Sequence, residues 1–147
     1  MTPPLGMLLR WLLLAVVLAA PGCARAPSED ALRKALGAMQ QALEDRDAAK
    51  LDDLLADDFV GPDGLDRQGA RRVATLGWRQ HQRIGVTLGA LEVEMKDRHG
   101  TVRFTAALTG GSESLLPDSV QVYDVETGWR FDDGSWRMTS AVWRPKL

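Results

Sequence analysis

Residues 119–144, SVQVYDVETGWRFDDGSWRMTSAVWR, read as two long strands meeting at Asp133-Gly134. That dipeptide readily takes the positive φ angles of a two-residue hairpin turn. Pairing outward from the turn sets Phe131 opposite Trp136, Trp129 opposite Met138, Thr127 opposite Ser140 and Val125 opposite Val142. Side chains alternate across a strand, so all of these share one face, with Tyr123 further along it. A lone hairpin is marginal in water, and so aromatic a face requires a cover; the helices upstream are what this chain offers. Arg130 and Arg137 have the opposite parity and belong on the outer face with Arg103. Arg130 directly opposes Arg137, which is unfavourable unless an acid stands near, such as Asp132 or one from a second copy.

The upstream segments have clear boundaries. Ser28 is a helix N-cap, followed by Glu29 and Asp30 at the positive end of the helix dipole. Leu32, Leu36, Met39 and Leu43 mark one face of a helix running to about Asp45. Asp47 caps a shorter helix with Leu51, Leu54 and Leu55 inward; Phe59-Val60 is a brief extended piece, and Gly61-Pro62-Asp63-Gly64 a turn. Asp66 caps a third helix over about Arg67 to Gln80, with Ala70, Val73 and Leu76 inward. From Ile84 the period becomes two. Val86, Leu88 and Ala90 share one parity and Leu91, Val93 and Met95 the other, which places a bulge at Gly89-Ala90. A turn at Asp97-Arg98-His99-Gly100 leads into a strand carrying Val102, Phe104, Ala106 and Leu108 on one face.

The start of the chain is an address. Arg10, the only charge before Cys23, precedes an apolar run from Trp11 to Ala20. Ten helical residues rise about 15 Å, half a bilayer's hydrocarbon core of about 30 Å, so the run describes a secretory signal rather than a spanning helix. Gly22-Cys23 looks like the cleavage junction of a bacterial lipoprotein, in which Cys23 becomes lipidated. Ordinary secretion, with cleavage after Gly22 or after Ala26, is the other reading. We therefore expect residues 1–22 to be a signal peptide, 23–28 a lipidated cysteine with a short tether, and 29–147 one domain. By the lipoprotein resemblance, Ala24 after the cysteine, in place of the aspartate that retains such proteins at the inner membrane, implies the periplasmic face of the outer membrane. One cysteine permits no intramolecular disulfide. With 18 basic against 20 acidic residues there is no basic stripe, and nucleic acid is not an expected partner.

The order helix, short helix, brief strand, helix and bent sheet resembles the nuclear transport factor 2-like (SnoaL-like) superfamily. The residues that carry the likeness are ALEDRD at 42–47, LLADDF at 54–59, Pro62-Asp63-Gly64, and the strand pair Trp129-Arg130-Phe131 with Ser135-Trp136-Arg137-Met138. The resemblance implies an α+β cone, with N-terminal helices packed on a curved antiparallel sheet, a pocket at the open end, and pairing of two copies through the sheet. It also implies catalytic positions for the ketosteroid-isomerase branch. Here these hold Met39 in place of a tyrosine, Gly61 in place of the base, and Thr127 in place of a strand acid.

Asp63 and His81 are what remains for acid–base work, the first a turn former beside glycine and the second a helix-end imidazole. The two histidines, His81 and His99, lie far apart in sequence, and no metal or cofactor is implied. Candidate ligand-lining residues are Tyr123, Thr127, Trp129, Ser140, Met39 and Trp78, although aromatics on a covered sheet face also serve as plain core. The expectation is a lipid-tethered, periplasm-facing module that binds a small apolar molecule or a protein partner. The alternative is an isomerase, dehydratase or hydrolase using Asp63 or His81.

Overall fold

A computed structural model describes residues 26–111 and 119–146. The proposed signal peptide and Cys23 lie outside the described residues. No helix among them is long and apolar enough to cross a membrane. Three helices come first: α1 (Glu29–Glu44), α2 (Ala48–Leu54) and, after strand β1 (Leu55–Val60) and a 3-10 turn at Pro62–Gly64, α3 (Arg67–Gln80). Strands β2 (Arg83–Leu88), β3 (Glu92–Lys96), β4 (His99–Gly111), β5 (Ser119–Asp132) and β6 (Ser135–Pro145) follow. All three expected caps form, with the side chains of Ser28, Asp47 and Asp66 accepting from the amides of Ala31, Lys50 and Gly69. Each satisfies an amide that the first turn of a helix leaves without a partner.

The strands make one sheet in the order β1-β6-β5-β4-β2, with β3 also paired to β4. It is mixed rather than wholly antiparallel. Leu55 leaves α2 directly in extended conformation, so β1 starts four residues earlier than the Phe59-Val60 expected, and it runs parallel to β6. The parity switch falls where anticipated: Leu88 pairs with Ala106 and Glu92 with Arg103, so residues 89–91 face only residues 104–105.

In the terminal hairpin Asp133 and Gly134 take φ values of 50° and 76°, and Phe131 meets Trp136 edge-on, with ring centroids 5.4 Å apart. Beyond Trp129↔Met138 the register departs from simple alternation: Gly128 pairs with Ser140, Thr127 with Ala141, and Val125 with Trp143. Thr139 is the extra residue of a bulge. A Cβ at position 128 would lie 2.5 Å from the Ser140 hydroxyl oxygen and 3.3 Å from that of Thr139, so only glycine admits both side chains there. Ser140 is consequently exposed, and Ala141 takes the inward place expected for it.

The inner face is covered by α1. Leu32 (0% exposed), Leu36 and Met39 pack with Trp129, Phe131, Trp136 and Met138 into one core, each large side chain contributing about 1.5–3 kcal/mol by burial. Polar groups fix the helix across the sheet. Trp136 Nε1 donates to the Ser28 carbonyl (3.2 Å) at its start, while near its end Gln40 Nε2 donates to the Val86 carbonyl (2.6 Å) and Glu44 accepts from the Val86 amide (2.8 Å). These last two bonds also occupy backbone groups of an edge strand, which would otherwise invite pairing with another chain.

On α3 the inward stripe is Gly69, Ala70, Ala74 and Trp78. Val73 and Leu76, expected inward, are 53% and 55% exposed. The helix is rotated because the Trp78 indole donates to the Leu43 carbonyl (2.9 Å), turning that residue's face toward α1. Outside, Arg130 does oppose Arg137, and the compensating acids come from the same chain. Arg130 forks onto Asp58 at 3.0 and 3.1 Å, and its Nε donates to Asp132 at 2.5 Å.

This packing sets two expectations. Leu32→Ala should lower the free energy of urea unfolding by about 2–5 kcal/mol, whereas Leu76→Ala should change it by no more than about 0.5 kcal/mol. The second concerns acid. Arg130's hydrogen bonds hold the Asp58 carboxyl below its ordinary 3.8. A depressed folded-state value means that the unfolded chain binds the proton more readily, so this contribution is complete above the ordinary value and fades as pH falls through the folded one. The stability difference between the native chain and Asp58→Asn should thus be constant above about pH 5 and shrink at lower pH.

Candidate functional site

The elements close tightly at one end of the cone and loosely at the other. At the closed end Trp129, Phe131 and Trp136 fill the space beneath Leu32. Toward the other end the inward positions become small: Ala106 on β4, Ala141 on β6, and Ala70 and Ala74 on α3. The result is a cavity of about 370 Å³. Met39 and Leu43 of α1, Val73 of α3, Phe104 of β4, Tyr123 of β5 and Trp143 of β6 are among its walls. Its size and apolar walls match those of small-molecule sites.

Among the described residues three lining side chains besides the Trp143 indole are polar, Gln40, Tyr123 and Thr127, and none is Asp, Glu, His, Lys, Arg, Ser or Cys. Each of the three already has a protein partner. The Thr127 hydroxyl donates to the Val102 carbonyl (3.1 Å) and accepts from Trp129 Nε1 (2.8 Å). Gln40 is held on Val86, and the Tyr123 hydroxyl donates to the Gln121 side chain. Thr127 is the one polar residue among the described residues that is fully buried, and that relay explains how it can be.

The six residues expected to line a ligand site divide evenly. Met39, Tyr123 and Thr127 line the cavity. Trp129 lies beneath it in the core, 1% exposed; Trp78 is committed to Leu43; and Ser140 is turned to solvent by the bulge. Asp63 sits on the exposed turn with φ 57°, away from the cavity lining. His81 ends α3 with its ring against Gly110, where a Cβ would approach Nδ1 to 2.6 Å, and its carbonyl accepts from Arg46 Nη2 (2.6 Å). The structure does not bring Asp63 and His81 together. Ala106, Ala141 and Trp143 were not anticipated as walls; Gly128, in the middle of a strand, is the signal that would have shifted the register and found the last two.

The outer sheet face carries a second concavity, about 450 Å³, between Arg103, Asp124, Glu126 and Arg144. Two of its charged walls pair within the lining and a third pairs just outside it. Arg103 bridges Glu126 (2.7 Å) and Glu94 (3.4 Å), and Asp124 pairs with Lys146 (3.4 Å). Exposed pairs of this kind are worth little individually. Among the described residues no three His, Cys, Asp or Glu side chains are grouped so as to hold a metal ion.

No protein-family model matches the chain, and no curated protein sequence matches it. Solved structures do. Aln2 from a Streptomyces species superposes with a TM-score of 0.72 at 14% identity, over 82% of this chain and 94% of that one. A candidate dehydratase of the NTF2-like family from Streptomyces avermitilis gives 0.67 at 20% identity, over 80% and 95%. Bd1075 of Bdellovibrio bacteriovorus gives 0.69 at 14% identity over 78% of this chain, which spans only 40% of that protein. The fold is the nuclear transport factor 2-like, or cystatin-like, α+β fold. At these identities the likeness speaks for architecture alone.

Removing the Thr127 hydroxyl while keeping its shape tests the relay beneath the cavity. Thr127→Val leaves the buried Trp129 indole without its acceptor, and should cost about 1–3 kcal/mol in urea unfolding. Thr127→Ser, which keeps the hydroxyl, should recover most of the loss.

Proposed function

We propose that this chain is a membrane-tethered module that holds a small, uncharged, mainly apolar molecule in the open end of its cone. The supporting observation is the composition of the cavity. Among the described residues its walls carry no ionisable side chain except the Tyr123 phenol, and Gln40, Tyr123 and Thr127 are already bonded within the protein. Burying a charge against such walls would be costly, because nothing there could pair with it. An apolar molecule gains about 25 cal/mol for each Å² it removes from water. Acid–base chemistry would need a group within hydrogen-bonding reach of the bound molecule. Asp63 and His81 stand outside the lining, and by the family resemblance Met39, Gly61 and Thr127 stand where the isomerase branch keeps its machinery. The domain's role is therefore to bind rather than to transform.

The tether is read from the sequence: Arg10, the apolar run to Ala20, and Gly22-Cys23, with lipidation on Cys23 and residence on the periplasmic face of the outer membrane. Mass spectrometry of the mature N-terminus checks it, since a chain bearing an unmodified Cys23, or starting after it, rejects the anchor.

Titration of the soluble domain with N-phenyl-1-naphthylamine, an uncharged apolar fluorophore, tests the cavity. Saturable binding is expected, weakened about tenfold or more, some 1.4 kcal/mol, by Ala106→Phe, which fills the space. Arg103→Ala, Asp63→Asn and His81→Gln should leave it unchanged. No binding by the native domain, or equal binding by a correctly folded Ala106→Phe protein, would reject this reading.

A further inference from the structure

We infer that the domain stands on its narrow end, so that the cavity opens away from the membrane and exchanges its ligand with the aqueous phase. This orientation rests on the lipid anchor proposed above and on the direction in which the cone is built. The first turn of α1 lies at the closed end, where the Trp136 indole holds the Ser28 carbonyl and Leu32 fills the space over Gly100. From α1 the cavity takes Leu36, Met39, Gln40 and Leu43, the later part of the helix, and it takes nothing before Leu36. β5 has the same polarity: Tyr123, Val125 and Thr127 are walls, whereas Trp129 and Phe131 are core at the closed end. Tether and mouth are thus at opposite ends.

Lengths decide what this permits. The 16 residues of α1 span about 24 Å. From Phe131 to Tyr123 along β5 is about 26 Å. Between Cys23 and Ser28 there are five residue steps, which reach about 18 Å at full extension whatever their conformation. With α1 upright and the mouth pressed to the lipid surface, Ser28 would stand about the length of α1 above it, further than the tether can span. The tether is therefore too short to let an upright cone load directly from acyl chains, and the lipid headgroups face the hairpin end around Ser135 instead. Trp143, 37% accessible, lines the cavity, and Leu76, 55% accessible, lies two residues before Trp78, whose indole bonds to Leu43 at the cavity end of α1; both lie toward the mouth and face water rather than lipid.

The test uses the full, lipidated chain in vesicles of phosphatidylethanolamine and phosphatidylglycerol containing a nitroxide-headgroup lipid. With Cys23 acylated, Ser135→Cys or Leu76→Cys provides the single thiol for a bimane label. The label at 135 should be quenched several-fold more strongly than the label at 76. Equal quenching, or stronger quenching at 76, overturns the orientation, as does a full-length chain that fails to float with vesicles. Fluorophore binding by the soluble domain is read separately. Its failure with the quenching pattern intact would remove the apolar-ligand reading and leave the orientation standing.

Discussion

The structure depends on one contact surface, the burial of the hairpin's aromatic face under α1. Neither partner is stable alone. A two-stranded ribbon with Trp129, Phe131 and Trp136 on one side cannot remain in water, and a 16-residue helix is marginal without an apolar surface to cover. Their union is directional because its polar groups are few and specific. The Trp136 indole registers the start of the helix at Ser28, while Gln40 and Glu44 register its end at Val86. Sliding the helix by one turn would break all three bonds and withdraw Leu32 from the space that Gly100 leaves for it.

Much of this was legible in the chain. Caps are local, so Ser28, Asp47 and Asp66 could be read from their own neighbourhoods, and each was found capping. The Asp133-Gly134 turn fixes its first pairs by counting, and Phe131↔Trp136 and Trp129↔Met138 follow. What failed depended on tertiary contacts. A bulge is one residue of slack, and every pair beyond Gly128 inherits the shift; that is why Ser140 and Val142 exchanged faces with Ala141 and Trp143. Similarly, a short amphipathic helix with apolar residues at 70, 73, 74, 76 and 78 has two plausible buried stripes. Only the Trp78–Leu43 bond, 35 residues apart in sequence, selects between them. The parallel strand β1 was foreshortened for a related reason, since Leu54 and Leu55 are both buried and apolar but belong to different elements.

The outer face shows how an apparent conflict can be settled within one chain. Two arginines facing each other across β5 and β6 invite a partner's carboxylate. Asp58, brought alongside by the parallel strand β1, supplies it bidentately, with Asp132 completing the arrangement. The arginine pair therefore no longer calls for a second copy. The Asp58 link spans 72 residues, so the sequence that posed the difficulty could not have disclosed its answer.

The cavity has a sequence cause that is equally dispersed: side-chain size falls along the cone, from tryptophan and phenylalanine at the closed end to Ala70, Ala74, Ala106 and Ala141 toward the open one. A magnitude shows that this cannot be slack packing. At about 24 cal/mol for each Å³, a sealed, empty void of this size would cost about 9 kcal/mol, as much as the whole stability of many domains, about 5–15 kcal/mol. Such a space is sustainable only if it opens to solvent or is filled, and the part-exposed Val73, Tyr123 and Trp143 among its walls show that it opens. An open apolar cleft still leaves unfavourable surface in contact with water. That residual cost is what an apolar occupant would remove, and a chain selected for stability alone would have closed the gap with larger residues at these alanines.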